Sequence, residues 1–393
     1  MKIIHISMAD FNGAGLCAYR LCKAQRELGY DSRMVVLRKK HKDDFITQYG
    51  ASTYFLNSIR HKLNKALGMA DDLNECRALS RQHNRPYALP VSPIDLTQLQ
   101  IIHDADVIHL HWVGDFLDFP SFFETFKAKP IVCTLHDQNL LYGISNTASP
   151  QLAGHWLEEK YWILKKTAIQ KAQRMGVVYL SRMTFNNQGD NPVLVHAHKR
   201  VIHNSVDSRL YRPYDKHAAR QRLGIGSEEK IFAFCACNIH EERKGLALLS
   251  DALAALHSDY KILAIGKNRS TVFGRNVIEV GRISDEKRMS EMLSAADYFC
   301  MPSFEEHFAQ APLEAMSCGL PVIAFPCSGT EELISPENGV RCSDFTVDAL
   351  KAGLSQALAT DYRPAFIRQS VIDRFSPQQI AKENIDFYQS LME

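Results

Sequence analysis

The chain has no stretch of 18 apolar residues, so no segment reads as a membrane-spanning helix. It has no excess of charge. Its 46 Lys and Arg stand against 44 Asp and Glu, and a net of +2 gives no global field for nucleic acid or an acidic polymer. Nucleic acid is therefore not an expected partner, and any basic contact surface must be local. It has no CxxC pair. The ten cysteines, at 17, 22, 76, 133, 235, 237, 300, 318, 327 and 342, are scattered, several of them in apolar runs. That fits buried thiols in a reducing compartment better than a disulfide framework. It has no low-complexity tract. Its opening residues, MKIIHISMADFNG, turn polar after a few apolar positions and read as a first strand rather than a signal peptide. The expectation is a cytoplasmic protein.

What is present is ordinary globular composition, 46% hydrophobic and 23% charged, over 393 residues. That length exceeds one ordinary core and predicts two domains. Short apolar runs alternate with longer helical patterns. MKIIHIS reads as a strand, and GAGLCAYRLCKAQRELG as a helix closed by Gly29, with Leu16, Tyr19, Leu21 and Leu28 on its buried face. SRMVVL, DVIHLHWV, PIVCTLHD and MGVVYLS follow as strands. The pattern then restarts: KIFAFCACN, YKILAIG, VIEVGRI, YFCMPS and LPVIAF are strands with helices between them. Repeated β–α units predict parallel sheets covered on both faces. The polar stretch 200–228, with Pro213, Gly224 and Gly226, predicts the boundary. SPQQIAKENIDFYQSLM predicts a terminal helix with Ser376 as N-cap and Pro377 at its first position.

In open α/β sheets ligands sit beyond the carboxyl ends of strands, so residues that follow strands are the informative ones. The segment PSFEEHFAQAPLEAMSCGLPVIAF, residues 302–325, places Glu305 and Glu306 in a loop after a strand and Glu314 on the next helix. The free N–H groups at that helix start suit a phosphate, and Glu314 suits ribose hydroxyls. A pair of glutamates alone reads more simply as a solvated helix; the surrounding PS, EAM, CG and PVIAF reverse that reading.

That segment resembles the signature of the retaining GT-B glycosyltransferases of family 4, the group 1 glycosyltransferases. Their Glu-x7-Glu motif is matched by Glu306 and Glu314, followed by Ala315, Gly319, Pro321, Val322, Gly329 and Glu332. AADYFCMPS (295–303) and IHNSVDSRLYRP (202–213) are similar to further family segments, with Ser205 in place of a glycine. Bacterial surface-polysaccharide members are the nearest in kind. The resemblance implies an α/β chain of GT-B type, two Rossmann-like doubly wound parallel-sheet domains facing a central cleft. Residues 1–205 would form the acceptor-side domain and 206–375 the nucleotide-sugar domain. The helix at about 376–393 would pack back on the first.

It also implies roles. Glu306 would lie by the donor sugar, and Glu314 would hold the ribose. Backbone at Phe308, Ala309 and Gln310 would meet sugar or phosphates, with Ala309 and His307 standing where glycines are frequent. Lys244, in CNIHEERKG, would stabilise the leaving diphosphate. Asn238 stands where the family has an arginine, so either Arg243 compensates or Asn238 acts as a neutral donor. Gly281 and Arg282 fall where the nucleobase is met. Gly13, in DFNGAG, would let backbone approach the donor from the first domain.

Gly13 to Ala18 also fits GxGxxA, a dinucleotide fingerprint. Its first glycine comes too long after the strand, and the second strand ends in Leu37-Arg38 rather than an acid, so an NADP-type oxidoreductase is the lesser reading. A non-catalytic nucleotide-sugar-binding protein is another alternative. Among the histidines that follow strands, His136 matches a family histidine near sugar and acceptor. His109 and His111 could bind metal, but no third or fourth ligand is evident, and core or supporting histidines are the simpler reading. The family needs no metal and no cofactor. The expected partners are a UDP- or GDP-linked nucleotide-sugar and a glycan or lipid-linked acceptor. Residues 54–68 read either as a helix packed on its own domain, the favoured alternative, or as a basic amphipathic helix on the inner face of the membrane.

Overall fold

The computed structural model describes the chain except residues 12, 51–68, 257–258 and 268–275. The helix expected at 54–68 lies outside the described residues. The described residues hold two parallel sheets. The first has seven strands in the order β3-β2-β1-β4-β5-β6-β7. They are β1 (Lys2–Ala9), β2 (Asp31–Arg38), β3 (Ile46–Gln48), β4 (Val107–Leu110), β5 (Pro130–Leu135), β6 (Arg174–Tyr179) and β7 (His198–Val201). The second has six in the order β10-β9-β8-β11-β12-β13. They are β8 (Ile231–Asn238), β9 (Lys261–Lys267), β10 (Val277–Gly281), β11 (Tyr298–Met301), β12 (Val322–Ala324) and β13 (Gly339–Arg341). Every pairing is parallel. Both sheets step outward from a first strand and then reverse, the doubly wound order whose switch point attracts ligands. That switch falls between β1 and β4 in one sheet and between β8 and β11 in the other.

Three strands, β3, β7 and β13, run through segments without an apolar signature. Each is an edge strand, paired on one side only. An edge has fewer faces to bury and tolerates polar residues such as His198, Lys199 and Arg200.

The chain divides into two compact units. Unit 1 comprises Met1–Leu180, Thr184–Ile202 and Ile380–Glu393; unit 2 comprises Ser181–Met183 and His203–Gln379. The change of unit at Ile202 comes just before the expected Ser205. It is set by β7, which keeps Val201 paired with Tyr179, while the His203 ring packs at steep angles against Phe308 and Phe375 of unit 2.

Within unit 1 the strands alternate in what they bury. Ile4, Ile6 and Met8 face one core with Leu110, Phe116, Phe119 and Val177. Ile3 faces the other with Val107, Val132, Val178 and Ile202, and helix Pro377–Met392 covers them with Ile380, Ile385, Phe387, Tyr388 and Leu391. The first helix, Gly13–Glu27, lies on the same side. It buries more than the expected Tyr19 and Leu21. Gly15, Ala18, Arg20, Cys22, Ala24 and Gln25 are buried too, while Leu16 and Leu28 are only half-buried. Gly15 is required by close approach: a Cβ there would stand 2.3 Å from Ala9 O. All ten cysteines are free thiols, seven of them buried. No helix among the described residues is long and apolar enough to cross a membrane.

Candidate functional site

In unit 2 the candidate residues collect beyond the carboxyl ends of β8 and β11, the strands flanking the switch point. Asn238 is the last residue of β8. Its Oδ1 accepts from His240 N at 3.2 Å and its carbonyl from Glu241 N at 3.3 Å, so Asn238 shapes the turn that follows. The chain then makes a 3-10 turn, Glu242–Lys244, and passes through Gly245 at φ +78° before helix Leu246–Ala254 begins. Lys244 thus directly precedes the N-cap of that helix and is not in its first turn. Gly245 has a second constraint: a Cβ would lie 2.2 Å from Pro302 O. That approach pins the turn to the loop after β11, and Phe304 N donates to Arg243 O at 2.9 Å.

The pinned loops bring Lys244 and Glu306 together, and Lys244 Nζ forms an ion pair with Glu306 Oε1. Both side chains are largely covered, at 15% and 17% exposure, so water screens the pair less than a surface one. Arg243 points elsewhere and pairs with Glu241 at 3.0 Å. Phe308 is buried, and its carbonyl accepts from Asn204 Nδ2 at 3.1 Å. Gly329, at φ +85°, packs on the Phe308 ring so tightly that a Cβ would lie 2.7 Å away. Ala309 is the N-cap of helix Gln310–Ser317 and offers no side-chain cap. That helix starts directly after the loop holding Glu306, and a helix start is a place that suits anions. Glu314 lies one turn along the same helix and is 7% exposed. Gly281 ends β10 at φ +78° with open space around its Cα, and Arg282 beside it is exposed.

Two features of this unit escape the motif. His307 Nε2 is buried with no hydrogen-bond partner, and burial lowers the pKa of the ring. Glu332, the last residue of the motif, is an internal tether. It accepts from Arg182 N at 3.0 Å and lies 3.2 Å from His203 Nε2.

In unit 1 Gly13 begins the first helix at φ +39°, exposed, with nothing within 4 Å of where its Cβ would be. His136 follows β5 and is half-buried. Its Nε2 lies 2.9 Å from His111 Nδ1. Asp137 accepts from Trp112 Nε1 at 2.8 Å and from Asn139 N at 2.9 Å, and burial pushes its carboxyl up to about 6. Lys165, fully buried, holds the same loop through Asn139 O, Asn139 Oδ1 and Tyr142 O at 2.5, 3.0 and 2.9 Å. Glu158 accepts from the amides of Gly143, Ile144 and Ser145. Lys165 and Glu158, from one helix, thus clamp the loop after His136.

A third neighbour for His109 and His111 is present. It is His5, in the middle of β1, and ligating atoms of the three lie within 4.8 Å of one another. Sequence spacing concealed it, because β1 and β4 are adjacent only in the sheet, where His5 and His109 are in register. The signal available was the strand period, which puts His5 on the face of Ile3 and Ser7.

The two doubly wound sheets and their loops define the GT-B architecture of glycosyltransferases. Sucrose-phosphate synthase from Thermosynechococcus elongatus superposes with a TM-score of 0.68 at 18% identity, covering 100% of this chain and 99% of that one. Anabaena HepE, solved with UDP and glucose, gives 0.64 at 18%, covering 99% and 100%. Residues 215–370 match the family described as glycosyl transferases group 1. That match lies within unit 2 and covers about two fifths of the chain. Among curated relatives, a Corynebacterium glutamicum GDP-mannose-dependent monoacylated alpha-(1-6)-phosphatidylinositol monomannoside mannosyltransferase is 28% identical over 249 residues, 56% of this chain and 63% of that protein. A Mycobacterium marinum D-inositol 3-phosphate glycosyltransferase is 25% identical over 202 residues, 46% of this chain and 42% of its own. The matches thus span less than two thirds of those relatives.

Proposed function

We propose that the protein transfers a sugar from a UDP- or GDP-linked nucleotide-sugar to a hydroxyl acceptor, with retention at the anomeric carbon. The observation that carries this reading is the meeting of Lys244 and Glu306 beside the uncapped start of helix Gln310–Ser317. A cation, an acid and a helix start without a side-chain cap suit a nucleoside diphosphate linked to a sugar. In this reading Lys244 leaves Glu306 for the diphosphate when the donor binds, and Glu306 turns to the sugar hydroxyls. Glu314 holds the ribose, and the backbone at Phe308, Ala309 and Gln310 meets sugar or phosphate. Gly281 and Arg282 meet the base. Asn238 keeps its turn and offers a neutral donor, since Arg243 is engaged by Glu241. Gly13 and His136 serve the sugar and acceptor from unit 1.

The reaction breaks the bond from the anomeric carbon to the diphosphate oxygen and forms one to the acceptor oxygen on the same face. The acceptor proton passes to the departing diphosphate, whose charge Lys244 and the helix amides stabilise. No pair of carboxylates flanking the bond is called for, as it would be in a hydrolase. The reading calls for no metal and no cofactor. The acceptor is a glycan or a lipid-linked glycan of bacterial surface polysaccharide or glycolipid synthesis, met at the cytoplasmic face of the membrane. An acceptor of that kind appears in the name of a similar protein, the monoacylated phosphatidylinositol monomannoside mannosyltransferase.

The test is release of nucleoside diphosphate from a panel of UDP- and GDP-sugars by the purified protein, with thermal shift as a companion. Donors that bind the native state raise its melting temperature by mass action. Flat melting curves and no release across the panel would sink the proposal. A shift without any release would favour a binding protein.

A further inference from the structure

Unit 1 carries a polar chain through its core. His136 Nε2 lies 2.9 Å from His111 Nδ1, and His111 Nε2 lies 2.9 Å from His5 Nδ1. His5 Nε2 lies 2.8 Å from Gln25 Oε1, which also accepts from Ser32 Oγ at 2.8 Å. The amide nitrogen of Gln25 donates to Tyr388 OH at 3.2 Å. That hydroxyl lies 2.6 Å from His109 Nδ1, and His109 Nε2 lies 2.7 Å from Thr134 Oγ1. The first helix supplies Gln25 and the C-terminal helix supplies Tyr388.

Burial keeps the three inner rings neutral. His5 is pushed down to about 4, and His109 and His111 lie well below the ordinary value. A neutral imidazole has one donor and one acceptor, so successive bonds must all point the same way. Gln25 sets the direction. Its oxygen faces His5, so His5 Nε2 donates and its Nδ1 accepts. His111 Nε2 then donates to His5, and His136 Nε2 donates to His111. On the other branch Tyr388 donates its hydroxyl to His109 Nδ1; the 2.6 Å distance suits an O–H donor better than an N–H donor. His109 Nε2 then donates to Thr134. All four rings carry the proton on Nε2, the tautomer that imidazole side chains ordinarily favour.

We propose that the buried chain Gln25–His5–His111 fixes the tautomer and ring plane of His136, with the proton on Nε2 and Nδ1 as the acceptor nitrogen. His5 and His111 are positioning residues. Their effect on turnover rests on the glycosyltransferase reading; the tautomer itself does not. Packing alone does not call for them, since apolar residues of similar size would fill the same space without desolvating ring nitrogens. A metal held by His5, His109 and His111 is the competing use. It would have to break the chain, because both nitrogens of each of these rings already have a partner at 2.6–2.9 Å.

The test is nitrogen NMR of histidine-labelled full-length protein at neutral pH, in wild type, His5→Leu and His5→Gln. The expected result is a neutral Nε2–H signature for His5, His109, His111 and His136. His5→Leu should change the His136 nitrogen shifts, whereas His5→Gln, whose amide can both accept and donate, should restore them. Nucleoside diphosphate release should fall about tenfold in kcat for His5→Leu and return in His5→Gln. A His136 signal of the Nδ1–H form, or one untouched by His5→Leu, would overturn the proposal. So would stoichiometric zinc uptake that shifts the three buried rings. If wild type turns over no donor, the glycosyltransferase reading fails while the NMR arm still decides the tautomer. Should His5→Leu not fold, His5→Gln and the wild-type spectrum carry the decision.

Discussion

The two units wind their strands in the same order but fill them differently. In unit 2 the strand interiors are apolar or thiol-bearing: Phe232, Phe234, Ala264, Cys300 and Ile323 meet Leu249, Leu253 and Leu350. Its charges stand at strand ends, where Lys244 meets Glu306. Unit 1 runs a hydrogen-bonded polar chain through one side of its sheet, and only the last ring, His136, is half-buried. One topology thus supports two ways of placing a functional group. Unit 2 lets turn geometry aim groups at its strand ends. Unit 1 steers a single ring from within its core, at the desolvation cost of every polar atom behind it.

The largest expected effect separates the two strategies. Lys244→Ala removes the cation at the strand end and should cut nucleoside diphosphate release about 10²–10³-fold with little change in melting temperature. Retained activity would remove unit 2 as the source of charge stabilisation. Next comes acid. An unfolded histidine binds its proton near pH 6.5, while folded His5 does so only near 4. Between those values the unfolded state holds more protons, so stability falls as pH drops from 6.5 toward 4. His5 alone contributes a loss of about 3 kcal/mol over that window, and His109 and His111 act in the same direction. All three tryptophans, Trp112, Trp156 and Trp162, lie in unit 1. Tryptophan fluorescence should therefore report acid unfolding earlier than far-UV circular dichroism of the whole chain; coincident transitions would erase the contrast.

A smaller effect tests how unit 1 seats its first helix. Gly15→Ala drives a Cβ toward Ala9 O and should cost about 2 kcal/mol in denaturant unfolding. The smallest is Arg243→Ala. Its pair with Glu241 is part-exposed, so the change in unfolding free energy should stay within about 0.5 kcal/mol. A larger loss of donor binding would reassign Arg243 to the diphosphate.

The comparison also explains what the sequence could reveal. Unit 2 was legible as a motif, because most of the residues that carry the resemblance sit in one short run from Pro302 to Glu332. Its pairing was not: Lys244 lies 62 positions before Glu306, and only the approach of Gly245 to Pro302 shows that they touch. Unit 1 was legible as alternating strands and helices, yet its polar chain draws single residues from β1, the first helix, β4, the loop after β5 and the last helix. No local pattern joins His5 to His111. The three strands that escaped notice were edges, whose half-solvated faces remove the apolar signal that marks β1 or β8.

The return of the last helix to unit 1 orders events during synthesis. Tyr388 follows all of unit 2 in the chain, yet it closes the core of the unit made first. During synthesis the first unit must wait with His109 lacking its hydroxyl partner and Ile3, Val107 and Val178 uncovered until the last helix is made. The nascent protein therefore passes through a stage in which unit 1 lacks the helix that closes it. That stage exposes an apolar sheet face to chaperones and proteases.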